Sequence, residues 1–438
     1  MKRCLAGIGM VVITYCVWAV AQDAPMFRGN LQHSGVYSTS GVATFNAIKW
    51  KFHTGGRVIS SPAVVNGVVY VGSTDCNLYA IDAASGAQKW KFETKGWVVS
   101  SPAVDAGTVY FLSYDSNFYA VDAATGQLKW KFATGGERHY VATHLHYLQP
   151  AAETMPDPWD FYLSSPSVWN GIVFFGSSDK NVYALDAKSG ALKWKFATGD
   201  VVHSSPAIAD GKLYIGSWDT YLYALDAANG REKWRFKTGD DPDAHNHVGI
   251  QSSPAVAEGV VYFGSRDAYA YAVGAATGKQ IWKFSTDGSW VNNSPAVNEG
   301  RVYFGTSVPG IVHAVEAQTG NVAFDVNSGS PVFASMALAG GILYMGNFGG
   351  KLIAIDIKTQ KAAWTFETDG AKENAASVTN ADGSIKWESL FPGPNAFYED
   401  MVMAVHKLFT AGTILSSPVV VGNTIYFGST DGNLYALQ

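Results

Sequence analysis

Residues 60–92 read SSPAVVNGVVYVGSTDCNLYAIDAASGAQKWKF, and this stretch decides the fold because its parts recur along the chain in fixed order. The parts are S-S-P-A-V, then V-Y-x-G-S-x-D, then L-Y-A-x-D-A-x-x-G, and finally W-K-F. Self-similarity at a period of tens of residues is the signature of repeat architectures, in which each repeat is one supersecondary unit. The number of repeats therefore sets the architecture.

The proline of the first motif marks the repeats. It stands at Pro62, Pro102, Pro166, Pro206, Pro254, Pro295 and Pro418. Met336 occupies the equivalent place in Ala334-Ser335-Met336-Ala337, so the unit occurs eight times. The shortest interval is about 40 residues, as from Pro62 to Pro102.

Each unit predicts four short strands. Tyr70 and Tyr79 lie in alternating, β-branched surroundings that are typical of pleated strands. Gly67 falls where a hairpin turn needs positive φ, and Asp82 with Gly86 marks a later turn. Four strands in ~40 residues are typical of one β-propeller blade. We therefore predict an all-β, eight-bladed β-propeller of four-stranded blades over residues 49–438, with seven blades plus an irregular module as the alternative.

The two ends of the chain predict how the ring closes. An aromatic residue of the fourth strand follows seven of the repeats, at Trp90, Trp130, Trp194, Trp234, Trp282, Phe324 and Trp364. The eighth repeat stops at Gln438 without that strand, and a spare copy, Lys49-Trp50-Lys51-Phe52, precedes the first repeat. We expect this N-terminal strand to complete the last blade, because closure removes exposed sheet edges.

Residues 1–21 resemble a secretory signal peptide. Lys2 and Arg3 precede an apolar run, and Ala19-Val20-Ala21 is a small-x-small cleavage site. Residues 22–48 then form a lead-in to the first strand. The sequence predicts a periplasmic or secreted protein; an uncleaved anchor and lipidation at Cys16 are the alternatives.

Cysteine content and charge restrict the partners. After cleavage only Cys76 remains, so no intrachain disulfide can form. Lys and Arg total 31 against 36 Asp and Glu, which is unlike the basic surface of a nucleic-acid-binding protein. We expect a monomer with no nucleic-acid partner and no transmembrane span in the mature chain.

The stretch Ala80 to Trp90, A-x-D-A-x-x-G-x-x-x-W, recurs at 120–130, 184–194 and 224–234. It resembles the tryptophan-docking motif of the pyrroloquinoline-quinone (PQQ)-like propeller superfamily, and the resemblance covers residues 49–438. Met26-Phe27-Arg28-Gly29-Asn30 and His33-Ser34-Gly35 are similar to the lead-in of exported members. The resemblance implies an eight-bladed ring in which the tryptophan packs between blades.

Two branches of the superfamily imply two functions. Quinoprotein dehydrogenases hold PQQ and Ca²⁺ on one face of the ring and oxidise alcohols or sugars. BamB-type members have no cofactor and act as scaffolds at the outer membrane. With Cys76 alone, the chain lacks the vicinal cysteine pair and the C-x-x-C-H haem site of many dehydrogenases. We favour an exported, non-catalytic scaffold or ligand- or protein-binding module of the cell envelope; the alternative is a PQQ- and calcium-dependent dehydrogenase.

Three insertions predict where a partner binds. They lie at about 137–161, 239–248 and 370–412, and each lengthens the crossover from one blade's outer strand to the next blade's inner strand. All three crossovers lie on one face of the ring, the insertion-bearing face. Long loops on a rigid scaffold commonly carry binding residues, so we expect a protein partner or a small ligand there. Helical spacing of apolar residues in 397–410 also predicts a short amphipathic helix that caps the ring.

Histidines in these crossovers suggest a metal site. His144 with His146, and His245 with His247, are two residues apart, which puts both rings on one side of an extended loop. Together with His203 they form a candidate composite site for Zn²⁺ or another borderline divalent metal. Separately solvated loops are the alternative.

The residue before each S-S-P motif lies at the mouth of the axial channel. It is apolar in most blades but is His203, Gln251 and Asn292 in blades 4, 5 and 6. Trp97 and Trp290 stand two residues before this position. We predict a polar patch roofed by the two indoles as the candidate site for a ligand or cofactor, with hydration of the channel mouth as the alternative.

Overall fold

Eight four-stranded antiparallel sheets form the predicted eight-bladed propeller. The computed structural model describes residues 23–239, 248–391, 393 and 395–438, so the predicted signal peptide lies outside the described residues. The first strands of neighbouring blades contact one another around the axis, which places the S-S-P motifs on the channel wall.

The strands of blades 1 to 4 follow the closing strand β1 and share one pattern, three residues in the inner strand and five or six in the others. They are β1 Ile48–His53; β2 Ala63–Val65, β3 Val68–Gly72, β4 Asn77–Asp82 and β5 Gln88–Glu93; β6 Ala103–Asp105, β7 Thr108–Ser113, β8 Asn117–Asp122 and β9 Leu128–Ala133; the insertion hairpin β10 Val141–Ala142 and β11 Met155–Pro156; β12 Ser167–Trp169, β13 Ile172–Gly176, β14 Asn181–Asp186 and β15 Leu192–Ala197; and β16 Ala207–Ala209, β17 Lys212–Gly216, β18 Tyr221–Asp226 and β19 Glu232–Lys237.

Blades 5 to 8 repeat the pattern, except that the outer strand of blade 7 has seven residues, and the helices lie between blades 7 and 8. The strands are β20 Ala255–Ala257, β21 Val260–Gly264, β22 Tyr269–Gly274 and β23 Gln280–Ser285; β24 Ala296–Asn298, β25 Arg301–Gly305, β26 Ile311–Glu316 and β27 Val322–Asn327; β28 Ala337–Ala339, β29 Ile342–Gly346, β30 Lys351–Asp356 and β31 Lys361–Glu367; and β32 Val419–Val421, β33 Thr424–Gly428 and β34 Asn433–Leu437. The helices are α1 Asp369–Val378, α2 Trp387–Leu390 and α3 Tyr398–Phe409.

A closed belt of hydrogen bonds explains why the second serine of S-S-P recurs in every blade. The backbone N–H of each such serine donates to the Oγ of its counterpart in the next blade, from Ser61 to Ser101 at 3.0 Å and finally from Ser417 back to Ser61 at 2.9 Å. The members of the belt are Ser61, Ser101, Ser165, Ser205, Ser253, Ser294, Ser335 and Ser417. All eight are buried, so each bond satisfies an N–H that water cannot reach.

The tryptophans of the docking motif join adjacent blades at the periphery. The Trp90 indole N–H of blade 1 donates to the Ala123 carbonyl of blade 2 at 3.1 Å. Its ring lies on Gly126, where φ is +74° and a Cβ would come within 2.7 Å of the indole. This contact explains the fixed spacing of the motif, because a side chain at the glycine would displace the ring.

The ring closes as predicted. β1 pairs antiparallel with β34, with Trp50 opposite Ala436, so blade 8 contains strands from both ends of the chain. The rings of Trp50 and Tyr426 lie 5.7 Å apart within that blade.

The lead-in seals the end of the channel opposite the insertions. Its backbone pairs with the far ends of inner strands, as in the bridges Ala24↔Val64 and Val36↔Leu338. The fully buried Arg28 donates to the Pro295 carbonyl at 2.9 Å and to the Met336 carbonyl. Burial lowers the pKa of Arg28 to about 10. The lead-in therefore covers this end of the channel.

The predicted capping helix is confirmed as α3, with Val405 and Leu408 buried against the ring. The shorter helices α1 and α2 were not predicted. Within the part of the chain that the structure describes, the helices lack the length and apolar character needed to span a bilayer.

Candidate binding site on the insertion-bearing face

The first insertion lies across blades 4 to 6 and is held there by a stack of planar groups. Tyr140 stacks on Trp218 with ring centroids 4.2 Å apart. The guanidinium of Arg266 lies 4.4 Å from Trp218 and 4.3 Å from Trp290. The ring of His146 also contacts that of Trp290, with centroids 5.4 Å apart. Two groups of the insertion thus enclose three groups of the ring, with a cation at the centre that favours the aromatic faces.

A buried ion pair reinforces the stack. Asp157 of the insertion accepts a hydrogen bond from Arg266 through Oδ2, and its Oδ1 lies 3.1 Å from Nε2 of His146. The side chains of Asp157 and Arg266 are fully buried. Burial by itself would raise the pKa of Asp157, but the charges of Arg266 and His146 outweigh it and hold the pKa below its ordinary value. The carboxylate is therefore ionised and paired with Arg266.

A second buried carboxylate joins the polar residues at the channel mouth. Asp160 Oδ1 lies 2.9 Å from Nδ1 of His203 and accepts a bond of 2.9 Å from the side-chain amide of Gln251. His203 Nε2 lies 2.8 Å from Oγ of Ser178. Burial alone would lower the pKa of His203, but the charges of Asp160 and then Glu137 raise it above the usual value. When the ring is protonated, both of its nitrogens donate to these oxygens.

Glu137 completes this network from the start of the insertion. Its carboxylate accepts hydrogen bonds from the hydroxyls of Thr134, Ser177 and Ser178 and from the Ser178 backbone N–H. Burial raises the pKa of Glu137, and these hydrogen bonds oppose the shift only in part. The chain Glu137–Ser178–His203–Asp160 thus fixes the insertion on the channel wall.

The channel below this network is narrow. A cavity of about 30 Å³, the scale of one or two water molecules, is lined by the serine belt and by His203, Gln251 and Asn292. His203, Gln251 and Asn292 therefore lie along one cavity, and their role as a ligand or cofactor site stays a prediction. The side-chain amide of Asn292 is buried and makes no hydrogen bond within the described residues.

A larger aromatic cavity opens beside the channel mouth. It measures about 270 Å³ and is bordered by blades 6 and 7, the first insertion and α2. Its aromatic walls are Trp159, Trp290, Phe333 and Trp387, and Ser289 and Ser307 supply polar groups. An apolar pocket with a few polar groups is typical of small-ligand sites.

A third cavity, of about 210 Å³, lies on the other side of the segment 156–161. It is lined by Arg57, Trp97, Tyr114 and His139 and by the α3 side chains that face them. The sequence led us to expect that Trp97 and Trp290 roof the polar patch together. Instead, the two indoles border two different cavities.

The predicted metal ligands are only partly described. His203 and His146 each lie against a buried aspartate, Asp160 and Asp157 respectively. His144 has a left-handed backbone before the 3₁₀ turn Leu145–Tyr147. His245 and His247 lie outside the described residues, so the composite site stays a prediction. Among the described residues, no group of three or more His, Cys, Asp or Glu side chains could hold a metal ion.

The same observation bears on the Ca²⁺ and quinone of the dehydrogenase branch. Calcium takes six to eight oxygen ligands, commonly carboxylates. The carboxylates at the channel mouth are already engaged: Asp157 by Arg266, Asp160 by His203, and Glu137 by three hydroxyl groups. The described side chains therefore do not fit a calcium-dependent quinone site at this place.

Sequence reasoning missed Arg266 and Trp218. Both occupy the variable position of the G-S-x-D turn between the second and third strands, which is Thr74 in blade 1 and Phe348 in the equivalent turn of blade 7. That position faces the channel mouth, and a basic or large aromatic residue in an otherwise constant motif was the available signal.

The sequence of the chain matches a known protein family. A sequence model described as "Outer membrane protein assembly factor BamB" matches residues 38–154, 158–282 and 266–438. No curated protein sequence matches the chain significantly.

Solved structures share the fold at low identity. BamB from Moraxella catarrhalis is 15% identical with a TM-score of 0.63, over 90% of this chain and 97% of that one. The quinohemoprotein alcohol dehydrogenase from Comamonas testosteroni is 15% identical with a TM-score of 0.68, over 95% and 80%. A europium-containing methanol dehydrogenase is 15% identical with a TM-score of 0.64, over 95% and 98%. At this identity the likeness establishes the fold alone.

Proposed function

Because the chain belongs to the family described as outer membrane protein assembly factor BamB, we propose that it is an exported, non-catalytic scaffold of the cell envelope. Its insertion-bearing face holds a protein partner or a small ligand. The seal formed by the lead-in supports this face as the binding surface, because Arg28 and its neighbours occupy the opposite mouth.

Exposed apolar side chains on the insertion-bearing face carry the proposal. They are Trp97, Val141, Tyr147, Val308, Phe397 and Met403. The other exposed large apolar residues of the described chain, Leu128, Leu192, Ile281 and Val322, lie singly on outer strands. Phe397 and Met403 are the most exposed, at 60% and 61%. Clustering of apolar surface on one face is typical of interaction sites.

The chemistry at the channel mouth also favours binding over catalysis. Asp157, Asp160 and His203 are buried and engaged in protein hydrogen bonds that hold the insertion in place. A general base must reach the proton that it abstracts, whereas each of these groups is turned toward a protein partner: Asp157 toward Arg266, and Asp160 and His203 toward each other.

A paired-variant experiment tests partner binding. The double variant Phe397→Ser/Met403→Ser removes the two most exposed apolar side chains, and Leu192→Ser/Ile281→Ser is the control at similar exposure on outer strands. We expect crosslinked complexes in cell-envelope fractions to be lost with the first pair and kept with the second. Equal loss or equal retention contradicts binding at this face.

Reconstitution with PQQ and Ca²⁺ tests the dehydrogenase alternative. We expect no quinone-dependent rise in melting temperature and no dye-linked oxidation of alcohols or sugars, because the mouth carboxylates are already engaged. A ligand that binds the folded state raises its stability, so a melting temperature that rises with quinone concentration contradicts the proposal.

A further inference from the structure

The third cavity contains a guanidinium without a counter-charge. Arg57 lies in the crossover between β1 and β2, and its guanidinium carbon lies 4.7 Å from the ring centroid of Phe409. Its backbone N–H and carbonyl bond Thr74, but its side chain makes no ion pair or hydrogen bond with the described residues. In contrast, the buried Arg266 is paired with Asp157.

The surroundings leave the charge of Arg57 uncompensated. Burial lowers the pKa of Arg57. Burial and the charge of Arg57 lower the pKa of His406 on the facing helix α3. Asp157 borders the same cavity, but it is already paired with the buried Arg266. A half-buried cation of this kind is stabilised by an anion that enters the cavity.

The walls define the shape of such an anion. Trp97 is 45% exposed, and its ring meets that of Tyr114 edge-on with centroids 6.0 Å apart. Phe161 and Phe409 close the inner side. The volume of about 210 Å³ is below the ~300–1,000 Å³ of drug-sized ligand sites, so it suits a single ring with a short substituent. The planar fork of arginine matches a carboxylate.

We propose that this cavity binds a small aromatic monocarboxylate, with its carboxylate on Arg57 and its ring against Trp97 and Tyr114. The proposal rests on the proposed function, because it assigns one ligand class to a cavity of the insertion-bearing face. The cavity borders Asp157 but not the pair formed by Asp160 and His203 at the channel mouth.

Isothermal titration of the mature chain with phenylacetate, and with its neutral counterpart phenylacetamide, tests the proposal. We expect phenylacetate to bind with one-to-one stoichiometry and at least about tenfold more tightly than phenylacetamide, because charge-assisted hydrogen bonds are lost with the amide. Arg57→Gln should weaken phenylacetate binding at least about tenfold. Arg138→Gln, at an exposed arginine beside a neighbouring open depression, should leave it unchanged.

Several outcomes overturn the assignment. The first is that phenylacetate does not bind at 20 mM, about the highest concentration that the titration can use. The second is that phenylacetamide binds as tightly as phenylacetate. The third is that Arg138→Gln weakens phenylacetate binding as much as Arg57→Gln does. If Arg57→Gln does not fold, the comparison of the two ligands on the unaltered chain still decides the question. If phenylacetate does not bind and the protein does not respond to PQQ and Ca²⁺, this ligand class is excluded but the proposed scaffold function is not contradicted. Quinone-dependent oxidation of a substrate would contradict the proposed scaffold function, whether or not phenylacetate binds.

Discussion

Replacement of Asp157 by Asn tests whether one ion pair fixes the first insertion. The substitution keeps the shape of the side chain but leaves Arg266 as a fully buried cation without its carboxylate. Removing one partner of a buried pair commonly costs about 3–5 kcal/mol, because the remaining charge is desolvated and unmatched. The two indoles at 4.4 and 4.3 Å remain and offset only part of this cost.

The effect should be local before it is global. Hydrogen–deuterium exchange should show loss of protection in residues 138–161, while blades 1 and 2 keep theirs, because segments open as cooperative units. In urea, tryptophan fluorescence should report a lower unfolding midpoint for Asp157→Asn. Lys351→Met, which breaks the exposed pair of Lys351 with Glu367 at 3.3 Å, should leave the midpoint almost unchanged.

A double variant separates charge from packing. Asp157→Asn/Arg266→Met removes the unmatched cation and puts a thioether between the two indoles, where sulfur contacts are favourable. We expect it to recover most of the lost stability, with a coupling of at least about 2 kcal/mol between the sites. The reasoning is refuted if Asp157→Asn behaves like Lys351→Met, or if the double variant is less stable than the sum of the single effects predicts.

Three further predictions concern the ring and its pH dependence. Deletion of residues 23–53 should lower the melting temperature markedly in calorimetry, since it removes the lead-in and exposes the edge of β34. An unchanged melting temperature would contradict the idea that closure of the ring by β1 stabilises the fold. Gly126→Ala should destabilise the fold more than Gly107→Ala, by about 1 kcal/mol or more in urea unfolding, because φ is +74° and +72° at the two glycines but only Gly126 lies under an indole. Burial by itself lowers the pKa of His203, but the charges of Asp160 and Glu137 raise it above 6.5, so the protonated ring stabilises the fold below pH ~6.5 and this contribution is lost as the pH rises through the raised pKa. His203→Gln should therefore flatten this part of the curve of stability against pH, whose slope is at most about 1.4 kcal/mol per pH unit for one proton. An unchanged slope would assign the pH dependence to other groups.

The repeat carried most of the information about the fold. Blade number, strand order and closure by the N-terminal strand were predicted and are confirmed by the pairing of β1 with β34. The position of α3 followed from the spacing of Val405 and Leu408. These features were predictable because they depend on contacts that recur at a fixed sequence interval, such as the indole of Trp90 on the next blade's glycine.

The candidate site was predictable only in its general location. His203 and Gln251 were identified as polar residues at the channel mouth, but their shared bonding to Asp160 was not predictable, because this residue comes from an insertion without a repeat. Trp97 and Trp290 were expected together and border different cavities, because the segment 156–161 passes between them. The metal assignment extends to His245 and His247 and remains a prediction.

By itself, the sequence determined the ring, since each blade repeats the same local pattern and docks on the next through the same few atoms. Only the tertiary structure decided which side chains meet on the insertion-bearing face. The stack around Arg266, its pairing with Asp157 and the uncompensated charge of Arg57 each depend on side chains far apart in the chain. Irregular insertions are positioned by burial and charge matching, and neither has a period that can be read along a sequence.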